Sequence, residues 1–248
     1  KLMETSGISE TIANNMIDKK VRNNVDNALK YMKQNNINVI SVFDDDYPQM
    51  LKEIYAPPIC LYIKGNLQLL KMQNISLIGC RKCSQYGKKT AYYFSYNLSK
   101  AGFNIVSGLA RGIDSYSHIG CLAAKGKTIA VMGSGLDNIY PKENEQLVNE
   151  IIKQNGAIIT QYPLGTKPEK NNFPARNRII SGLSKAVLVI EARAKSGTLI
   201  TVDFALEQGK DVFAVPGNIN SANSVGTNEL IKQGAIPVCN YKDILDNI

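Results

Sequence analysis

Residues 104–135, NIVSGLARGIDSYSHIGCLAAKGKTIAVMGSG, contain two short apolar runs separated by a segment with helical spacing. The runs are Asn104–Val106 and Thr128–Met132, and near-continuous apolar runs of this length are typical of strands buried on both faces. Ile113–Ala124 lies between them and has apolar residues at helical intervals. The order strand, helix, strand predicts two parallel strands joined by a crossover helix.

The same alternation continues on both sides of this unit, from Ile75 to near the end of the chain. The other predicted strands are Ile75–Ile78, Ala157–Thr160, Ala186–Ile190, Val212–Val215 and Ala235–Val238, and the other predicted helices are Tyr86–Lys100, Glu143–Gln154 and Thr198–Gln208. A glycine precedes the next strand at five helix ends, as expected of C-terminal caps: Gly102, Gly126, Gly156, Gly209 and Gly234. The sequence therefore predicts an α/β fold with a doubly wound, mostly parallel sheet.

The first 70 residues have a different pattern. Residues 1 to about 40 indicate short polar helices around Val25–Met32, and the acidic run Asp44–Asp46 follows. Pro57 and Pro58 then precede one strand candidate, Ile59–Ile63. We predict a small helical region and connector over residues 1–70, and the α/β domain over residues 71–248.

Net charge and cysteine content restrict the class of protein. The formal charge of +8 is uneven: residues 1–74 hold nine Lys/Arg and eight Asp/Glu (9 − 8 = +1), and residues 75–248 hold 20 and 13 (20 − 13 = +7). A basic domain fits either a solvated surface or a polyanionic partner, and charge alone does not choose between them. No apolar run approaches the roughly 18 residues of a membrane span. The five cysteines, an odd number mostly in apolar segments, favour a reducing cytoplasm over a disulfide framework.

The turns that follow the predicted strands are rich in glycine, serine and basic residues. Ligands of open parallel sheets bind outside the carboxyl ends of the strands, and helix-start N–H groups there favour anions. The turns are Gly79-Cys80-Arg81, Ser107–Gly112, Gly133-Ser134-Gly135, Glu191–Thr198 and Pro216-Gly217-Asn218. One such turn could use glycine for conformation alone, but five on one edge, with Arg81, Arg111, Arg193 and Lys195 among them, indicate a phosphate-binding edge.

Nucleotide-cofactor motifs are incomplete. Gly133-Ser134-Gly135 begins like a dinucleotide fingerprint, but Asn138 occupies the position of the third glycine. Residues 120–128 resemble a Walker A loop with one residue too many, and they precede a strand instead of following one. Hydride transfer and ATP hydrolysis therefore lose support, and we predict no cofactor.

Catalytic and metal-binding signals are equally weak. The single histidine, His118, lies within a predicted helix and is better explained by packing than by general-base chemistry. Cys80 and Cys83 form a C-x-x-C pair after a strand, which is half of a zinc site or a redox pair; without a second cysteine pair, we favour neither. Acidic candidates for acid–base chemistry are Asp114, Asp137, Glu191 and Glu207, although Asp114 near a helix start is equally a dipole partner. We predict no catalytic residue and no metal.

Several long strings resemble the DNA-processing protein A family (DprA, also called Smf). They are YPQMLKEIYAPPICLYIKGN (47–66), SGLARGIDSYSHIG (107–120), TIAVMGSGLDNIYPKEN (128–144), FPARNRIISGLSKAVLVIEARAKSGTLIT (173–201), ALEQGKDVFAVPG (205–217) and GTNELIKQGA (226–235). The resemblance implies an extended Rossmann-like domain that binds single-stranded DNA, forms a homodimer and loads the RecA recombinase during natural transformation, without catalysis. It also implies a winged-helix-like domain after the Rossmann unit in many members, which we expect to be absent from or cut from this chain. More weakly, residues 1–40 resemble a remnant of a sterile-alpha-motif-like domain.

The resemblance places the basic DNA pocket on Arg81 and Lys142. With the predicted phosphate-binding edge, it gives the full set of predicted DNA-binding residues: Gly79, Arg81, Ser107, Gly108, Arg111, Gly133, Ser134, Gly135, Lys142, Arg176, Asn177, Arg178, Lys195, Ser196 and Gly197. Asn177 and Arg178 could equally brace the fold. Cys80 stands where the family usually has serine, so a hydroxyl contact to phosphate is in doubt there. Tyr140, Tyr162 and Phe173 are candidate stacking faces for bases, or core residues.

An enzymatic alternative remains. Rossmann-like phosphoribohydrolases that act on nucleoside monophosphates use similar glycine-rich strand ends with a catalytic glutamate and arginine. Glu191 or Glu207 would have that role here.

Overall fold

The computed structural model describes residues 9–248 and divides the chain into two compact units at Asn38. The first unit contains helices α1 (Glu10–Ile17) and α2 (Lys19–Gln34). Helix α1 begins after Ser9, whose Oγ accepts a hydrogen bond of 3.3 Å from the backbone N–H of Ile12, as an N-cap residue does.

The described residues form a sheet of nine strands, and all of it except the first two residues of the first strand lies in the second unit. Their bounds are β1 (Ile37–Ser41), β2 (Cys60–Gly65), β3 (Asn74–Gly79), β4 (Asn104–Ser107), β5 (Thr128–Val131), β6 (Ala157–Thr160), β7 (Ala186–Glu191), β8 (Asp211–Ala214) and β9 (Ile236–Pro237). The spatial order is β1-β2-β6-β5-β4-β3-β7-β8-β9. The seven strands β6-β5-β4-β3-β7-β8-β9 are parallel to their neighbours in the sheet. Strand β2 pairs antiparallel with β6.

Helices cover both faces of the parallel part of the sheet. Their bounds are α3 (Gln49–Lys52), α4 (Gln85–Lys100), α5 (Ile113–Ala123), α6 (Glu145–Lys153), α7 (Asn172–Gly182), α8 (Gly197–Glu207), α9 (Val225–Lys232) and α10 (Lys242–Leu245), with 3-10 turns at Leu67–Lys71 and Lys142–Asn144. Side chains of β3 alternate between the two faces. Ile75 and Leu77 pack in one apolar cluster with α4 and α5 residues, and Ile78 packs in another with α7 and α8 residues. This arrangement confirms the predicted doubly wound α/β fold.

The predicted strands agree with the observed ones to within one or two residues. Four observed helices are missing from the predictions: α7, α9 and the two four-residue helices α3 and α10. Helix α7 has weak apolar periodicity, and it contains Pro174 in its first turn, where a missing N–H is tolerated. Its sequence therefore gives little helical signal although the helix is well formed.

The predicted glycine caps are of two kinds. The glycine itself takes the left-handed conformation at Gly102, Gly209 and Gly234. At the two other helix ends, Lys125 and Asn155 take it instead, and the glycine follows. A Cβ on Gly126 would lie 2.6 Å from Ser99 Cβ, and one on Gly156 would lie 2.7 Å from Thr128 O, so close packing requires these two glycines.

Residues 39–70 lie in the larger unit, whereas the sequence groups them with the N-terminal region. Strands β1 and β2 extend the sheet at one edge, beside β6. Their short, partly exposed sequences do not reveal this pairing. In the part of the chain that the structure describes, no helix has the length and apolar character needed to cross a membrane.

Candidate functional site

The strand order reverses at β3, because the chain runs from β3 through β4, β5 and β6 on one side and through β7, β8 and β9 on the other. A crevice forms outside the carboxyl ends of the strands at such a point. The structure has a cavity of about 610 Å³ there. Residues from segments 78–82, 168–180 and 193–201 line it, together with Ala110, Asp114 and Tyr140. We call this cavity the switch-point pocket.

Basic side chains surround the switch-point pocket. The exposed ones are Arg81, Lys82, Lys170, Arg193 and Lys195. Among the described residues, none of these five side chains forms a salt bridge, although Arg193 Nε donates a hydrogen bond of 2.9 Å to Asn223 Oδ1. Uncompensated cations in a cleft concentrate anions.

Two aromatic rings lie at the same opening. The ring centroids of Tyr140 and Phe173 are 5.6 Å apart, and the two planes are tilted by 48°. Arg81 Cζ lies 5.5 Å from the Phe173 centroid, in cation–π contact. Tyr140 is about 40% exposed and Phe173 is half-buried, so both rings offer surface to a planar ligand.

The floor of the pocket holds two buried charged residues, Asp114 and Arg176. Asp114 Oδ2 accepts hydrogen bonds from the N–H groups of Gly108 (3.1 Å) and Ala110 (3.2 Å). Burial raises the pKa of Asp114 to about 6, against the opposing effect of Arg176. Arg176 donates to the carbonyls of Gly108 (2.9 Å) and Val131, and so connects the ends of β4 and β5; burial lowers its pKa to about 10, which leaves it charged at neutral pH.

The structure separates the predicted DNA-binding residues into two groups. Those that line the switch-point pocket are Gly79, Arg81, Arg176, Asn177, Lys195, Ser196 and Gly197. Those outside its lining are Ser107, Gly108, Arg111, Gly133, Ser134, Gly135, Lys142 and Arg178. Of the first group, Arg176 is only 3% exposed, so its main contacts are with the protein itself.

The Gly133-Ser134-Gly135 turn uses its polar groups internally. Ser134 Oγ donates a hydrogen bond of 2.7 Å to Asn138 O, and Gly135 N donates one of 2.9 Å to Thr166 O. A Cβ on Gly133 would lie 2.9 Å from Phe173 Cδ1. This turn therefore makes room for the Phe173 ring at the pocket.

Arg111 and Lys142 lie outside the pocket lining, and Glu143 relates them, because it follows Lys142 in sequence and pairs with Arg111. Arg111 pairs with Glu143 through two bonds, of which Nη2–Oε2 is 2.7 Å, and both side chains are slightly more than half exposed. Lys142 is exposed. Hydrogen bonding to Glu143 raises the pKa of Arg111, and Tyr140 adds a smaller effect in the same direction.

Arg178 and Ser107 brace the fold. Arg178 donates to Ala56 O (2.9 Å) and Gln161 Oε1 (2.6 Å), which fastens α7 to two loops. Ser107 is fully buried and its Oγ donates a hydrogen bond of 2.7 Å to Leu77 O.

Two basic residues of the pocket, Lys82 and Lys170, are missing from the predicted set. Lys82 follows Arg81 in the same turn, and that adjacency was an available signal. Lys170 lies in the loop before α7, far in sequence from the strand-end turns, and only the folded chain brings it to the opening.

Glu191, Cys80 and Cys83, which the sequence analysis considered for catalysis or metal binding, are buried or partly buried among other protein groups. Glu191 is 1% exposed and accepts hydrogen bonds from Ser84 N (2.9 Å), Ser84 Oγ and Asn223 Nδ2 (3.3 Å). Burial raises the pKa of both Cys80 and Cys83, which lowers their thiolate fractions. In the described part of the chain, no three His, Cys, Asp or Glu side chains are grouped so that they could hold a metal ion.

Comparison with known proteins identifies the family. Residues 38–248 match the model of the family described as DNA recombination-mediator protein A. The chain belongs to this family. Among its relatives, DNA processing protein DprA of Bacillus subtilis is 42% identical over 222 residues, which are 89% of this chain and 74% of that protein. Protein Smf of Escherichia coli is 41% identical over 92% of this chain, and the chain spans 61% of its length.

Solved structures of DNA recombination-mediator protein A relatives have the same fold. DNA processing protein A from Streptococcus pneumoniae superposes with a TM-score of 0.84 at 40% identity, over 96% of this chain and 86% of that one. DNA processing protein A from Helicobacter pylori superposes with a TM-score of 0.76 at 31% identity, over 85% of this chain and 94% of that one. The latter structure was described for the single-stranded DNA binding mode of that protein.

Proposed function

We propose that this protein binds single-stranded DNA in the switch-point pocket and acts as a non-catalytic mediator of recombination. The observation that carries the proposal is the set of five exposed, unpaired cations around the Tyr140–Phe173 pair at the reversal of strand order. The Helicobacter pylori relative is described as binding single-stranded DNA, which supports the same ligand here.

The pocket suits a single strand because it offers two kinds of contact. Cations such as Arg81 and Lys195 attract phosphates, and their binding releases the counterions that surround nucleic acid. The exposed faces of Tyr140 and Phe173 can stack on unpaired bases of any identity. Bases of a duplex are already stacked and cannot splay onto these rings, so duplex DNA is expected to bind less well.

The chemistry of the pocket gives no support to hydrolysis. Among the described residues that line it, Asp114 is the one carboxylate; it is buried, accepts hydrogen bonds from two backbone N–H groups and is under the electrostatic influence of Arg176. Glu191 is buried against Ser84. Glu207 is the last residue of α8, at the opposite end of that helix from the carboxyl ends of the strands. We therefore propose that the protein is not a phosphoribohydrolase, and an assay for free base released from nucleoside monophosphates tests this directly.

Family membership supports a wider role. We propose that the protein protects incoming single-stranded DNA during natural transformation, loads the RecA recombinase on it, forms a homodimer and works in the cytoplasm. Arg111 and Lys142, which lie outside the pocket lining, would extend the positively charged DNA-binding surface beyond the pocket.

The test compares the salt dependence of oligo-dT binding in variants of matched charge. Replacing Arg81 and Lys195 by alanine should reduce affinity at every salt concentration, and each lost contact should flatten the log–log slope by roughly 0.7. Lys185→Ala removes one positive charge, as each single variant, Arg81→Ala or Lys195→Ala, does, and it is their matched control because Lys185 is exposed at the amino end of β7, the opposite edge of the sheet.

Oligonucleotides of different sequence should lose affinity about equally in the double variant, because phosphate contacts carry no direct sequence information. A well-folded Arg81→Ala, Lys195→Ala protein with wild-type affinity and slope would refute the proposal for this pocket.

A further inference from the structure

A second cavity, of about 410 Å³, opens on the same edge of the sheet. It is lined by Ser84 and Tyr86 at the start of α4, by Glu191 at the end of β7, and by residues of segment 216–224 after β8. None of the predicted DNA-binding residues lines it. We call it the second cavity.

The second cavity and the switch-point pocket share a wall. Lys82 and Arg193 line the pocket, whereas Ser84 and Glu191, each two residues away in sequence, line the second cavity. Asn223 fastens this wall: its Nδ2 donates a hydrogen bond of 3.0 Å to Lys82 O, and its Oδ1 accepts one of 2.9 Å from Arg193 Nε. Two residues of extended chain span at most about 7 Å, so the cavities are immediate neighbours.

The two cavities differ in charge. Five exposed basic side chains line the switch-point pocket, whereas the described lining of the second cavity includes no lysine or arginine and does include the Glu191 carboxylate. A phosphate would therefore favour the pocket. Serine and asparagine side chains line the second cavity, such as Asn218 and Ser221, and these groups both donate and accept hydrogen bonds. Such a lining suits a neutral polar group.

Tyr86 gives the second cavity an aromatic face. Its side chain is about 51% exposed, and its hydroxyl donates a hydrogen bond of 3.2 Å to Pro216 O. This bond holds the ring against the loop that forms the other side of the cavity. A fixed, half-exposed ring beside polar groups is the arrangement on which proteins stack single-stranded bases.

We propose that the second cavity is a nucleobase subsite, which takes a base of the same strand whose phosphate lies at Lys82 and Arg193. The inference rests on the proposed binding of single-stranded DNA. In a nucleotide, only the sugar lies between the phosphate and the base, so the two groups can reach two neighbouring cavities. The mixed donors and acceptors accommodate the edges of all four bases, so the subsite adds affinity without strong sequence preference.

The experiment uses two oligonucleotides of equal length, oligo-dT and an abasic strand with the same phosphates. Tyr86→Ala should weaken binding of oligo-dT by about fivefold or more, the effect of losing one stacked base. It should leave the affinity for the abasic strand unchanged, and the salt slope unchanged for both strands, because no phosphate contact is lost. Tyr86→Phe keeps the ring and should bind oligo-dT almost as wild type.

Tyr92→Ala is the matched control. Tyr92 is about 40% exposed on the same helix but lines neither cavity, so its loss should not change affinity. Equal losses of affinity for oligo-dT and the abasic strand, or no loss in Tyr86→Ala, would overturn the subsite while leaving the switch-point pocket in place. A wild-type protein that binds neither strand would overturn the proposed function as well.

Discussion

The environment of His118 predicts a specific sensitivity to acid. The imidazole is fully buried in α5, and its Nδ1 lies 2.7 Å from Thr128 Oγ1. Thr128 Oγ1 donates its one proton to Ile105 O at 2.6 Å, so it accepts from His118, and the proton of the neutral imidazole is on Nδ1. Nε2 has no hydrogen-bond partner, so a second proton would be a buried donor without an acceptor.

Burial lowers the pKa of His118 from 6.5 to about 3. A group whose pKa is lowered by folding stabilises the native state above its unfolded pKa, and that stability is lost as the pH falls toward the folded pKa. At pH 5.0, which is 1.5 units below 6.5, the loss attributable to His118 is about 2 kcal/mol. This is a large part of the roughly 5–15 kcal/mol by which domains are stable.

Asp114 acts in the opposite direction. Its pKa is raised from 3.8 to about 6, so its contribution is present at low pH and is lost as the pH rises through 6. Acidification from pH 7.5 to 5.0 should therefore return about 1 kcal/mol through Asp114 and partly mask the effect of His118. A variant that lacks the imidazole separates the two contributions.

The assay is urea unfolding of the wild type and His118→Gln at pH 7.5 and pH 5.0. Because His118 is the single histidine of the chain, no other imidazole contributes between these values. The difference in unfolding free energy between the two proteins should shift by about 2 kcal/mol in favour of the variant at pH 5.0. If the two proteins respond equally to pH, the assignment of a neutral, buried imidazole is refuted, whatever the substitution costs at pH 7.5.

Two further predictions concern residues around the pocket. Asn223→Ala should lower the unfolding free energy by about 1–3 kcal/mol in urea titrations, because it removes the hydrogen bonds to Lys82 O, to Arg193 and to the buried Glu191 carboxylate. Unchanged stability would contradict the role of Asn223 in the wall. Glu143→Gln should remove the ion pair of Arg111 and leave its guanidinium free to contact a phosphate. Oligo-dT should then bind more tightly, with a log–log salt slope steeper by roughly 0.7, measured by fluorescence anisotropy over a salt series. An unchanged slope would show that Arg111 does not contact the DNA.

The fold was predictable because the apolar pattern within each short segment indicates whether that segment forms a strand or a helix. Runs such as Ala186–Ile190 are apolar throughout, which is what a parallel strand buried on both faces requires. The edge strand β1 and helix α7 were not predicted, since one depends on pairing with a distant strand and the other lacks a clear apolar stripe.

The site was predictable only in outline. Strand-end turns indicate which edge of the sheet binds, but sequence does not reveal which cations point outward. Arg81 is exposed at the pocket, whereas Arg176 is buried against carbonyls and Arg178 is fastened to two loops, although all three belong to the predicted set of DNA-binding residues. Lys170 could be identified only from the folded structure, because its loop is not one of the turns that follow a predicted strand.

The glycine-rich turns have a different use from the one their sequence suggests. At three of them the backbone donors are taken by the protein: Gly108 N bonds to Asp114, Cys80 N bonds to Glu191 O, and Gly135 N bonds to Thr166 O. The turns that cradle a dinucleotide leave such donors free for one pyrophosphate. Here, side-chain cations spread around a wide opening carry the positive charge. Separate cations of this kind match the repeated phosphates of a polymer better than a single cofactor, which supports the proposed binding of a DNA strand at this edge.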